Sequence, residues 1–305
     1  IYGCTYSLFT NWLPRQGIEV DFVSFNKTDL GSAIRPNTRI VYFETPINPT
    51  LELIDIEAVC NIVSEENQRR APKDRMYVVV DNTFASPYCQ RPIELGADFV
   101  IASLTKHISG FGTDMGGVVI GRKEFYTPLM LYRKDYGAIL SGRHAWPFLV
   151  YGLPSLASRI RQTTATAMKL ANFLSSHPKV ERVNYPGLET FPQYRLAQKQ
   201  MRCYKGEFMP SSILYFVLKG TPTEAQEKGR TLMDWLAKNA LCYTLAVSLG
   251  HCKTLVEHPS SMTHSALSAV DQVRSGIDAG GVRVAVGLEE PEVLMKEMEA
   301  ALQQI

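Results

Sequence analysis

The sequence is short of the features that would take it out of the ordinary globular class. No apolar run reaches the roughly 18 residues that a membrane helix needs, so no membrane partner is expected. Charge is nearly balanced, 32 Lys+Arg against 30 Asp+Glu for a net +2 and a pI near 8.2. Without a clustered basic stripe, a nucleic-acid partner is not expected either. The six cysteines, Cys4, Cys60, Cys89, Cys203, Cys242 and Cys252, contain no Cys-x-x-Cys pair and no dense framework. That excludes a disulfide scaffold and fits reduced thiols in a cytosolic, cytoplasmic protein. There is no internal repeat and no low-complexity tract. What remains is 305 residues at 45% hydrophobic content, enough for one large and one smaller domain.

Apolar runs and helical periods alternate through the first half. A helix is expected over 6–13, closed by Pro14 and Gly17, and a strand over 20–23. Further strands are predicted at 39–43, 78–80 and 99–102, with helices at 29–34 and 54–66. Such alternation argues for an α/β fold with a mostly parallel sheet wrapped by helices, and for ligand groups at the strand ends. After Gly121 the chain reads as helical, with a loop at 134–137 and helical stretches from His144 to His177 broken by Pro147 and Pro154. Beyond these, strands at 180–183, 213–218, 246–249 and 282–286 and helices at 224–238 and 292–303 read as a smaller α+β unit. The division is placed at 1–155 and 156–305.

The segment Ser103-Leu104-Thr105-Lys106-His107 stands out, because it follows an apolar strand and precedes a glycine-dense stretch. Burial at a strand end lowers a lysine's pKa and makes its amine a usable nucleophile. Asp81 ends the neighbouring apolar run Val78-Val79-Val80. Together they form the pair that pyridoxal 5'-phosphate (PLP) requires, an amine for its aldehyde and an acid that keeps its ring nitrogen protonated. Ser103 and Thr105, on alternate positions of one segment, would point the same way and could hold a phosphate. Taken singly, Lys106 reads as a solvated loop residue and Asp81 as a turn or helix cap.

Three segments, Tyr42-Phe43-Glu44-Thr45-Pro46-Ile47-Asn48-Pro49, Asp81-Asn82-Thr83-Phe84 and Ser103-Leu104-Thr105-Lys106, resemble the Cys/Met-metabolism family of PLP enzymes. The similarity runs from Tyr2 to the C-terminus. It implies an aminotransferase-like (fold type I) large domain and a smaller C-terminal domain. It also implies an amino-acid substrate and a homotetramer of two catalytic dimers. Ile1 is not an initiator methionine. Family members carry a preceding stretch that grips the cofactor phosphate and reaches a neighbouring subunit, so the chain is expected to be incomplete at its start.

Carried over by residue, the resemblance makes Lys106 the cofactor lysine and proton shuttle, Asp81 the partner of the ring nitrogen, and Ser103 and Thr105 phosphate ligands. Asn48 would meet the cofactor's phenolic oxygen, Tyr2 would stack on the ring and act as an acid on the leaving group, and Ser248 and Arg283 would orient the substrate carboxylate. Arginine's planar fork suits a carboxylate, although alternation alone would make Arg283 an outward-facing strand residue. His258 and His264 lack a third ligand at metal-binding spacing, so a structural loop is expected and no metal.

Cys4 and Val247 resemble the methionine γ-lyase branch, although Cys4 also reads as a small buried filler. Cystathionine γ-lyases carry a glutamate where Val247 stands. Tyr136-Gly137-Ala138-Ile139-Leu140 and His251-Cys252 depart from that branch. The implied function is carbon-sulfur γ-elimination on methionine or a close analogue, giving 2-oxobutanoate, ammonia and a thiol. The alternatives are a γ-replacement enzyme (cystathionine γ-synthase or O-acetylhomoserine sulfhydrylase), a cystathionine γ-lyase and, remotely, a non-catalytic binding protein.

Overall fold

A computed structural model describes residues 1–25, 28–262 and 277–305. The chain opens with α1 (Gly3–Ser7), which runs on through a wide turn at Leu8–Trp12 and a tight one at Pro14–Gln16 until Gly17 ends it in left-handed conformation. The strand expected at 20–23 does not form: Phe22 lies half-exposed against Tyr6, and no partner strand reaches the segment among the described residues. Then follow α2 (Leu30–Ala33), β1 (Ile40–Glu44), α3 (Ile56–Asn67), β2 (Tyr77–Asp81), α4 (Ser86–Cys89), β3 (Phe99–Ser103) and β4 (Gly117–Gly121). Asp55 caps α3 by accepting from Ala58 N. Ile56, Val59, Cys60 and Val63 form its inward face, packed with Val41, Phe43, Val78 and Val80 of the sheet.

These four strands lie in the order β1-β2-β3-β4, the first three parallel and β4 antiparallel to β3. Parallel register aligns Glu44 with Asp81, so acids end both strands on the same side of the sheet. The edge strand β4 was missed because its glycines and exposed face carry no burial pattern.

Residues 134–136, expected as a loop, complete α5 (Tyr126–Tyr136), which Gly137 terminates at φ 88°. The prolines expected to break the next helices do not. α6 (Gly142–Pro147) passes through a wide turn at Phe148–Gly152 into α7 (Leu153–Ser176), and Pro154 sits in its first turn, where a missing N–H costs nothing.

The remaining elements are β5 (Val180–Asn184), α8 (Tyr194–Gln200), β6 (Ile213–Leu218), α9 (Pro222–Asn239), β7 (Tyr243–Leu245), β8 (Thr254–Glu257), β9 (Gly281–Ala285) and α10 (Pro291–Leu302). Their five strands take the order β5-β6-β9-β8-β7, and α7, α9 and α10 cover one face around Leu170, Leu174, Phe216, Leu232 and Leu294. α9 begins in a capping box between Thr221 and Glu224. The strand expected at 246–249 ends instead at Leu245, because the chain leaves the sheet there and crosses toward Lys106.

A separate apolar cluster joins the two sheets. Leu51 and Phe84, from the loops after β1 and β2, pack against Ile213, Tyr215, Leu249 and Leu255. The carboxyl ends of β1 to β3 therefore open onto the crevice between the sheets, where ligands of open α/β sheets bind.

Candidate active site

Lys106 follows β3 inside a wide helical turn, Leu104–Ile108, and its own backbone departs from helical geometry (φ −89°, ψ −128°). Its Nζ donates to Ser248 Oγ at 2.9 Å. Burial, with the Arg283 cation nearby, lowers its pKa below the ordinary lysine value. The alternation argument for Ser103 and Thr105 fails geometrically, since the strand ends at Ser103 and Thr105 lies in the turn. Thr105 Oγ1 accepts from Gly116 N at 3.0 Å, and Ser103 N donates to Thr83 Oγ1 at 3.0 Å.

Asp81 is held at both oxygens. Thr83 N donates to Oδ1 at 2.9 Å and the Tyr42 hydroxyl to Oδ2 at 3.4 Å. Beneath it a buried amide network fixes the loops: Asn82 donates to Gln90 O (2.8 Å), Gln90 to Thr45 O (2.9 Å), and Gln200 to Gln90 Oε1 (3.2 Å).

Arg283 does not face outward. It is 3% exposed, its Nη1 donates to Asn48 Oδ1 and its Nη2 to Ser248 O, both at 2.9 Å, and it pairs with Glu257 at 3.0 Å. Glu257 is 1% exposed, and its second oxygen has no partner. Burial pushes the Glu257 carboxyl above its usual range, against the pull of Arg283. Sequence reasoning missed this acid. The available signal was a glutamate ending the apolar run Thr254-Leu255-Val256, the position Asp81 holds on β2.

Hydrogen bonds thus link Lys106, Ser248, Arg283 and Asn48. Tyr2 and Asn48 are joined through Glu44, whose carboxylate accepts from both backbone N–H groups at 2.9 and 3.4 Å. Tyr2 (51%), Cys4 and Val247 (57%) are exposed, so Cys4 is not a buried filler. The Cys4 thiol and partial burial raise the Tyr2 pKa, keeping its phenol protonated.

His258 engages both ring nitrogens, on Ser261 Oγ at 2.8 Å and Ala279 O at 2.7 Å. Thr263 and His264 lie outside the described residues. All six cysteines are free thiols.

A family model described as Cys/Met metabolism PLP-dependent enzyme matches residues 1–303. The chain belongs to that family. It is a PLP-dependent enzyme of sulfur amino-acid metabolism with a fold type I architecture. Similar family members include an L-methionine gamma-lyase of Fusobacterium nucleatum subsp. polymorphum, 40% identical over 100% of this chain and 72% of the relative. An O-succinylhomoserine sulfhydrylase of Pseudomonas aeruginosa is 36% identical over 99% of this chain and 70% of the relative. Among solved structures, a cystathionine gamma-lyase from Micromonospora echinospora superposes with a TM-score of 0.86 at 33% identity, covering 99% of this chain and 74% of that one.

His107, beside Lys106, is fully buried with Nε2 unpartnered, and burial pushes its pKa down to about 3. Its folded pKa lies below the unfolded value of 6.5, so its contribution is intact above pH 6.5 and is lost as pH falls toward 3. Urea unfolding should show wild type losing on the order of 3 kcal/mol more than His107→Phe between pH 7 and pH 4. Parallel pH profiles for the two proteins would mean that the imidazole is not held neutral.

Proposed function

We propose that this member of the family carries out γ-elimination on methionine or a close analogue, releasing 2-oxobutanoate, ammonia and a thiol. The observation that carries the reading is the continuous path Lys106–Ser248–Arg283–Asn48, which sets an amine and a carboxylate receptor side by side. The donor set suits PLP: an amine of lowered pKa, an acid locked by Thr83 and Tyr42, and hydroxyls of Ser103 and Thr105 at the same strand end.

Bound PLP would supply an aldehyde for amine capture and a ring that draws electrons from the bonds being broken. Asp81 would hold its carboxylate against the ring nitrogen, Ser103 and Thr105 would hold phosphate, and Asn48 would meet the phenolic oxygen. The Arg283 fork would take the substrate carboxylate with help from Ser248. The Lys106 amine, unprotonated at lower pH than an ordinary lysine, would then remove the proton at Cα and move protons between substrate carbons. Tyr2, kept protonated, would donate to the departing sulfur.

Val247 decides between substrates. Cystathionine carries a second ammonium and carboxylate, which need a partner once desolvated, whereas Val247 offers only a hydrocarbon surface beside Ser248. Methionine should therefore be turned over in preference to cystathionine. Val247→Glu should shift the kcat/KM ratio toward cystathionine by roughly ten-fold to over a hundred-fold. A wild type that prefers cystathionine, with a ratio unmoved in the variant, would remove Val247 from specificity. Incubation with methionine, cystathionine, and O-acetylhomoserine plus sulfide, scoring keto acid against homocysteine, tests the activity itself. Homocysteine as the main product from O-acetylhomoserine and sulfide, with acetate leaving, would establish γ-replacement, the activity class of the sulfhydrylase relative.

The same reading divides the chain at 155/156, in the first turn of α7, and makes the protein a cytoplasmic tetramer of two catalytic dimers. Exposed apolar side chains on and after α5, among them Tyr132, Tyr136, Trp146 and Leu149, support self-association, since α5 buries none of its residues within the chain. A monomer in light scattering would remove the tetramer. Among the described residues no helix is long and apolar enough to cross a membrane.

A further inference from the structure

Behind Lys106 lies an arginine that no part of the proposed chemistry uses. Arg159, on α7, is 7% exposed, and none of its hydrogen-bond partners among the described residues is a carboxylate. Its guanidinium is spent on backbone: Nη1 donates to His107 O at 2.9 Å, and Nη2 to Ile108 O at 3.3 Å and Gly152 O at 2.8 Å. Nε donates to Ser155 Oγ at 2.9 Å. The first two carbonyls belong to the residues immediately after Lys106. A buried cation normally needs compensation, and here it comes from the backbone carbonyls of His107, Ile108 and Gly152.

The fit is close on both sides of the turn. Gly110 has φ +75°, and a Cβ there would overlap Nη1 and Cζ of Arg159. On the opposite side Gly250 lies so near that a Cβ would overlap the His107 backbone, while Cys252 N donates to Gly110 O at 2.7 Å. The Lys106–Gly110 segment is thus gripped between Arg159 and the 248–252 stretch, which also carries the Ser248 hydroxyl that receives the Lys106 amine.

We infer that Arg159 is a positioning residue for Lys106: by tying the carbonyls of His107 and Ile108 to that of Gly152, it fixes the turn that presents the amine to Ser248. The inference rests on the reading of Lys106 as the cofactor lysine. Only a planar fork spans three carbonyls at once, and a lysine ammonium keeps the charge without the reach.

Two measurements separate the inference from that reading. Borohydride reduction of the wild-type chain with PLP, followed by peptide mass spectrometry, should find the cofactor on Lys106. Its appearance on another lysine would overturn the reading, and this inference with it.

With Lys106 established, Arg159→Lys and Arg159→Met are compared with wild type, using trinitrobenzenesulfonate labelling of Lys106 across about pH 6 to 10, quantified by mass spectrometry. Both variants should move the labelling midpoint up toward the ordinary lysine value of 10.5, because a released side chain gains water. A shift in Arg159→Lys cannot come from lost charge. With methionine, kcat should fall on the order of 10²-fold with KM little changed, as expected of a displaced reactive group. A variant that melts cooperatively and keeps the wild-type labelling profile overturns the inference. Should neither Arg159 variant melt cooperatively, Ser155→Ala, which removes the Nε acceptor along with the hydroxyl's own bonds to Tyr151 O and Gly152 O, is judged by the same profile: a smaller upward shift supports the clamp and an unmoved midpoint sinks it.

Discussion

Lys106→Ala is expected to lower kcat/KM by on the order of 10⁴-fold or more while leaving thermal unfolding at or above the wild-type midpoint. The kinetic loss follows from removing both the nucleophilic amine and the base that moves protons between substrate carbons, two functions that fall together when one residue supplies them. The folding result follows from a different fact. The amine is half-buried, and its lowered pKa reflects the desolvation of a charge, so truncation to alanine relieves a cost as well as removing one hydrogen bond to Ser248. Steady-state kinetics and a melt on the same preparation check both halves. A variant that still forms a borohydride-trappable cofactor adduct and turns over methionine would show that another lysine does this work.

Arg283→Leu should have the second largest effect, and it should damage stability and substrate binding separately. Removing the guanidinium leaves Glu257 buried and unpaired, a change that typically costs about 3–5 kcal/mol. The cost is that of a carboxylate held in low dielectric, so it should diminish as pH falls and Glu257 takes up a proton, the direction in which burial already shifts it. Adding Glu257→Leu should restore most of the stability at neutral pH, because an apolar pair of similar volume satisfies the site. KM for methionine should stay raised by about 10²-fold in both variants, since neither has the fork for the substrate carboxylate. Denaturant titrations of the two single variants and the double variant, run beside kinetics, make the comparison. If the double variant is no more stable than Arg283→Leu, the ion pair is not what the buried acid depends on.

What was legible beforehand follows the range of the interactions involved. The strands ending at Asp81 and Ser103, the helices α3, α9 and α10, and the pair Lys106 and Asp81 proposed to hold the cofactor all announce themselves within a few residues. Apolar periodicity, a cap and a functional group at a strand end are local properties, and the motifs around them identify the family directly. Features whose stabilisation comes from elsewhere in the chain were misjudged. Pro147 ends α6 ahead of the wide turn and Pro154 sits in the first turn of α7, so neither breaks the helical run, and neither arrangement has a sequence period. The stretch 246–249 was read as a strand because its composition suits one, yet it leaves the sheet to reach a lysine 142 positions away.

By itself, then, the sequence determined the family, the cofactor, the alternation of strand and helix, and the residues that end the parallel strands. Only the tertiary structure decided that Arg283 turns inward onto Glu257, that Asn48 meets it across 235 positions, and that Arg159 closes over the carbonyls behind Lys106. The physical reason is that a side chain's propensity and polarity act on its neighbours along the chain. The partner that makes burying a charge tolerable is set by which strands and helices happen to pack together.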